Sequence, residues 1–277
     1  MVPKSRLALN RIACPQVGLS DFLRLGRDLG LGKVELRTDI PGRDVFDGMT
    51  AAQVVDMLEE NTVTVIAINV LLNFNQAGRL DQAEHELEEL IRLAVAVRCP
   101  AVLLCPQASS DDGRDSDTRY RDSLTALNRF GPHLQDSGVL GYIEPLGFQI
   151  SSLDSLITAG QLIEESSFAV YRTVYDTFHH FLGPDEVYTL TERYNFRHTG
   201  LVHISGVSAD IAASRYEDSH RDLPGPHDHL NSRGQLRFLV DNGYRGDVSF
   251  EPFSPSIQRL SLVELRRTLA AAIEYLS

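Results

Sequence analysis

The chain has 277 residues, 43% hydrophobic and 23% charged, enough apolar material for a sizeable core and too much for a disordered segment. Acidic residues outnumber basic ones by 38 to 26, and a formal net charge of −12 makes nucleic acid a poor partner. Only two lysines, Lys4 and Lys33, stand beside the arginines; one is near the terminus and the other precedes a strand, which argues against Schiff-base chemistry.

Short β-branched or apolar runs alternate along the chain with segments of helical period. Strand 6–12 (RLALNRI) leads to a helix near 19–30, with Ser20 as its start signal, and strand 33–37 (KVELR) to a helix near 51–60 opened by Thr50. Strand 63–70 (VTVIAINV) precedes a helix near 80–98, and strand 101–105 (AVLLC) one near 116–136. Strands 139–144 (VLGYIE) and 170–175 (VYRTVY) precede helices near 152–166 and 185–194. Strand 200–204 (GLVHI) is followed by a helix near 231–242, and strand 247–251 (DVSFE) by one near 261–276, where Ser261 and Glu264 form a capping box. The longest irregular stretch, 205–230, contains Pro224, Gly225 and Pro226; loops of that length are usually functional or disordered.

Strict alternation implies an α/β fold with a parallel sheet, and eight units favour closure into a (β/α)8 TIM barrel of about 250 residues. An open dinucleotide-binding sheet would carry G-x-G-x-x-G after its first strand, where this chain reads CPQVGLSDF. No linker divides the chain, so a single barrel domain over 1–277 is expected. Three widely spaced cysteines (Cys14, Cys99, Cys105) fit a reducing compartment. The opening residues do not read as a signal peptide, and no stretch approaches the ~18 apolar residues of a membrane span. A cytoplasmic location without membrane contact is therefore expected, and a homo-oligomer stays open.

In a barrel the active site lies at the C-terminal ends of the strands. Those ends read Asn10, Arg37, Asn69, Cys105 to Gln107, Glu144, Asp176, His203 and Glu251. The last four terminate consecutive, neighbouring strands, so their side chains converge. Three carboxylates crowded together repel and raise one another's pKa. One divalent metal ion (Mn, Zn, Co or Mg) held by Glu144, Asp176, His203 and Glu251 resolves that conflict. His179 falls three residues after Asp176 and can face the same mouth, whereas His180 points away. Arg37 and Asn69, at the ends of strands two and three, are candidate substrate contacts. His85, His133 and His198 are expected to be structural or exposed.

The segments KVELRT, VIAINVLLNFN, YIEPLG, VYDTFHHF, LVHIS, HRDLPG and VSFEPFSP resemble the xylose-isomerase-like barrels of the sugar phosphate isomerase/epimerase superfamily, which also contains the apurinic endonucleases. Within it they are most similar to the branch acting on inososes. The resemblance implies ligation by the same four residues and substrate contacts from His179 and Arg221. It further implies an isomerase or epimerase of a polyhydroxylated ketone, an inosose above all, working through an enediolate with Glu144 and Glu251 as acid–base pair. A small polyol or ketose is then the partner. Two other activities use the same scaffold. A 3-dehydroshikimate-type dehydratase would share the ligands. A DNA-repair endonuclease would draw further ligands from Asp218 and His220, but it would have histidines where this chain has Asn69 and Gln107. A non-catalytic binding module is disfavoured by the density of titratable groups at one mouth.

Overall fold

A computed structural model describes residues 2–277. Eight parallel strands close in sequence order into a barrel. They are β1 (Leu7–Asn10), β2 (Lys33–Arg37), β3 (Thr64–Leu71), β4 (Ala101–Leu104), β5 (Leu140–Ile143), β6 (Tyr171–Asp176), β7 (Thr199–Ile204) and β8 (Asp247–Phe250). Around them lie α1 (Leu19–Leu29), α2 (Ala51–Asn61), α3 (Leu80–Ala96), α4 (Ser116–Ser137) and α5 (Leu156–Glu165), then α6 (Thr177–Leu182), α7 (Val187–Arg193), α8 (Ser232–Asp241), α9 (Pro255–Gln258) and α10 (Leu262–Leu276). No helix among the described residues is long and apolar enough to cross a membrane.

The pleat sorts each strand into two faces. Leu7, Leu9, Val34, Leu36, Val202, Ile204, Val248 and Phe250 belong to the apolar layer shared with the helices. The alternate positions, including Ala8, Ala101, Leu103, Val174 and Leu201, form a second, smaller apolar cluster and so face the axis. Continued upward, that axial register carries Asn10, Glu35, Arg37, Asn69, Glu144, Asp176, His203 and Glu251, all buried. A one-residue slip in any strand would turn its polar group into the helix layer. At the opposite end of the barrel Lys33 pairs with Asp247 at 2.5 Å, far from the mouth.

Several boundaries differ from expectation for identifiable reasons. Strand one stops at Asn10 because its side chain accepts from Ile12 N and starts a 3-10 turn over Arg11–Ala13. Ser20 does not cap α1: Gly18 holds that position, and Asp47, from a distant loop, accepts from Leu19 N at 2.6 Å. The helix expected from 152 begins at Leu156, capped by Ser155 and by Asp185, which accepts from Leu156 N. The helix expected over 185–194 is α7, and it is preceded by α6, which starts directly from Asp176. Thr50 and Ser261 both form the capping boxes that their spacing predicts. The stretch 205–230 is built rather than loose, with two 3-10 turns and an antiparallel bridge between Gly206 and Asp222.

The loop after β5 packs closely on α6. A Cβ at Gly147 would run into the backbone carbonyl of His179, which cannot withdraw without moving the helix. Gly147→Ala is therefore expected to destabilise the protein by about 1–3 kcal/mol, as overpacking does. Urea denaturation checks this, and an unchanged midpoint would show that α6 can shift freely.

Candidate metal centre

Each group at the mouth arrives by a different local device. Asp176 ends β6 and also opens α6, its Oδ1 accepting from Phe178 N (2.7 Å) and His179 N (2.8 Å), so that Oδ2 is left facing the mouth. His203 lies opposite Asp176 in the β6–β7 register. Glu144 and Glu251 sit one residue beyond β5 and β8, on the axial face. One ligand atom from each of Glu144, Asp176, His203 and Glu251 falls within 4.8 Å of all the others. Among the described residues no second such group occurs.

The ring of His203 has a carboxylate on either side. Its Nδ1 is 2.9 Å from Glu144 Oε1 and 3.1 Å from Glu251 Oε2, while its Nε2 is 3.1 Å from Glu35 Oε2. Burial disfavours the charged ring, but Glu251, Glu35 and Glu144 outweigh it and raise the His203 pKa well above its ordinary value. Glu251 is gripped from two sides: Arg37 Nη1 donates to Oε1 at 2.7 Å and Arg221 Nη2 to Oε2 at 2.6 Å. Burial opposes its ionisation, yet His203, Arg221 and Arg37 hold it well below the usual carboxylate range. Asp176 moves the other way: burial raises its pKa despite Arg221 Nη2 at 2.5 Å. Among the described residues no arginine is hydrogen-bonded to Glu144; Cys105 Sγ donates weakly to its Oε2 at 3.5 Å.

Of the expected substrate contacts, His179 is buried at the mouth between Phe148 and Phe178, and its Nδ1 has no hydrogen-bond partner. Burial, helped by Arg221, lowers its pKa to about 4, so the ring is neutral. Arg221 spans Asp176 and Glu251 and also reaches Asp218 at 3.1 Å. Arg37 donates to both oxygens of Asp39, to Glu251, and at longer range to Asn10 and Asn69. Asn69 in turn donates to Glu35 at 2.9 Å. Phe253 is stacked between the two guanidiniums, 5.3 Å from Arg37 and 4.6 Å from Arg221.

The long stretch after β7 acts as a strap for Arg221. The Arg221 carbonyl accepts from Phe253 N and Ser254 N, and Asp222 accepts from Ser208, Ser254 and Ser256. Asp218 and His220 do not form a further ligand pair: Asp218 is tied to Arg221, and His220 Nδ1 accepts from Glu217 N. Gln107 is likewise engaged elsewhere, its Oε1 accepting from Arg114. His180 lies against Tyr175, while His133 and His198 pair with surface glutamates. Strand-end reading missed Glu35, Asp39 and Phe253. Glu35 had a signal, since it stands two residues before Arg37 and therefore on the same face of β2.

These donors suit a divalent cation. Four buried carboxylates (Glu35, Glu144, Asp176, Glu251) face two buried guanidiniums (Arg37, Arg221) that are themselves shared with Asp39 and Asp218, so negative charge is in excess once His203 is neutral. Uncompensated buried charge of that size is costly, and hard oxygen donors with one imidazole match a divalent ion.

The xylose isomerase-like TIM barrel family matches residues 23–277. The chain belongs to that family. It is 30% identical to a xylose isomerase domain-containing protein from Salmonella typhimurium LT2, with a TM-score of 0.92 over 100% of this chain and 98% of the other. The IolI protein, crystallised with a bound zinc atom, superposes with a TM-score of 0.87 at 19% identity over 98% of each chain. An inosose isomerase from Halalkalibacterium halodurans is 23% identical over 241 residues, 86% of this chain and 84% of that protein.

Metal-free protein should take up about one divalent ion per chain, measured by elemental analysis. At a hundredfold excess over Kd the ion should add about 2.7 kcal/mol, raising the melting temperature by about 5–10 °C. Two or three ions per chain would reveal ligands beyond this set.

Proposed function

We propose that the protein is a divalent-metal-dependent isomerase or epimerase of a polyhydroxylated ketone, with an inosose as the leading substrate. The observation that carries this reading is the pair of glutamates, Glu144 and Glu251, converging from β5 and β8 on one ligand set with no lysine beside them. The relatives named above are consistent with it: one acts on an inosose by name, and one binds zinc. A divalent cation held by Glu144, Asp176, His203 and Glu251 supplies Lewis-acid polarisation of the ketone and its neighbouring hydroxyl.

The protein's own groups then divide the work. One glutamate takes the proton from the hydroxyl-bearing carbon next to the ketone, giving an enediolate. The other returns a proton to the former carbonyl carbon in an isomerase, where the proton of the former hydroxyl passes to the former carbonyl oxygen, or to the opposite face of the same carbon in an epimerase. The two are unequally placed. Glu251 is hydrogen-bonded by two arginines, whereas the hydrogen bonds of Glu144 go to His203 and the Cys105 thiol. His179, neutral and with Nδ1 unpartnered, is suited to hold a substrate hydroxyl. Arg221 places positive charge at the rim where oxyanion character develops. Arg37, whose donors go to Asp39, Glu251, Asn10 and Asn69, serves the substrate through Glu251 in this reading.

Turnover of an inosose or ketose in D₂O, followed by proton NMR, tests the chemistry. Solvent deuterium is expected at the carbon next to the carbonyl, without a new ultraviolet band. Isomerised product lacking deuterium would point to hydride shift, and a growing enone absorbance to a dehydratase. Glu251→Gln should keep some metal but lower kcat by roughly 10²–10⁴, the usual value of a positioned acid–base group.

A further inference from the structure

Glu35 lies on the axis of the barrel, one pleat repeat deeper than Arg37 and fully buried. Such interior positions are ordinarily filled by branched apolar side chains. Here a carboxylate occupies one of them, and its surroundings explain what it holds. Oε2 accepts from Asn69 Nδ2 at 2.9 Å and lies 3.1 Å from His203 Nε2, while Oε1 accepts from Asn10 Nδ2 at 3.2 Å. Asn10 Nδ2 also donates to Glu251 Oε1 at 3.1 Å, linking Glu35 to a second ligand.

The two nitrogens of His203 thus face different partners. Nδ1 looks at the oxygens of Glu144 and Glu251, and Nε2 looks down at Glu35. A ligating nitrogen must be unprotonated, so the one remaining ring proton belongs on the other. An ionised carboxylate only accepts, which makes Glu35 compatible with a single arrangement: N–H at Nε2 and a free lone pair at Nδ1. A glutamine at the same place could turn its NH₂ toward Nε2 and favour the opposite tautomer.

We propose that Glu35 is a positioning residue for the metal centre, accepting the Nε2–H of His203 so that Nδ1 is the ligating atom. This rests on the reading that Glu144, Asp176, His203 and Glu251 hold a divalent cation.

The test uses the full-length protein and zinc alone. Competition against a chromophoric chelator gives the affinity of parent and Glu35→Gln. A 10- to 100-fold loss is expected in the folded variant; the urea midpoint of the metal-free protein is followed in parallel and is expected to fall, because the charged His203 ring loses a buried partner. A purely structural role would lower the midpoint too, but leave the affinity of the folded fraction alone. Nitrogen-15 NMR of the imidazoles in zinc-loaded parent, with His203 assigned by substitution, supplies the second reading and needs no Glu35 variant. The proton is expected at Nε2 and the metal-induced shift at Nδ1. A ring proton at Nδ1, or zinc affinity within twofold of parent in folded Glu35→Gln, overturns the role of Glu35 while leaving the metal centre standing. Failure of the parent itself to bind zinc overturns both.

Discussion

Everything at the mouth of this barrel follows from putting four carboxylates into its buried upper layer. Each costs several kcal/mol to desolvate unless it is paired, and they crowd one imidazole between them. Arg37 and Arg221 enter that layer to offset part of the charge, and each is anchored by a rim carboxylate, Asp39 or Asp218. Phe253 lies against both guanidiniums and limits where they can go. Shared in this way, the arginines leave negative charge in excess, which a divalent cation would offset. Breaking any single pair would strand the partner group in low dielectric, so the layer is expected to behave as one unit under mutation.

The fold supplies the precision that such a unit needs. Its residues come from strands, whose side-chain direction is set by the pleat, rather than from mobile loops. Where a loop does contribute, it is tied down: Arg221 hangs from a stretch whose backbone pairs with Gly206 and with the chain after β8, and Asp222 gathers three serine hydroxyls. His179 is placed by α6, whose first turn is held by Asp176 itself. One residue thereby couples the ligand set to the candidate substrate contact, because moving Asp176 also releases the helix that carries His179.

Much of this could be read from the amino-acid sequence because barrel geometry is periodic. Strand ends in successive units must be neighbours, so Glu144, Asp176, His203 and Glu251 could be brought together without coordinates. Thr50 and Ser261 announce their helices through residues only three positions away. What escaped depends on contacts between distant segments. Asp47 caps α1 and Asp185 caps α5 across long stretches of chain, and no local pattern marks either. The sequence VYDTFHHF reads as the end of a strand, yet Asp176 turns it at once into a short helix. Glu35 was hidden differently: attention to strand ends passes over the position two residues inward, although alternation in KVELR puts it on the same face as Arg37.

The most direct measurement is anomalous diffraction at the zinc edge from crystals grown with zinc. One peak is expected, enclosed by Glu144, Asp176, His203 and Glu251, with Nδ1 of His203 turned toward it. A peak elsewhere in the molecule, or none among these four residues at saturating zinc, would contradict the assignment of the buried charge to a divalent cation.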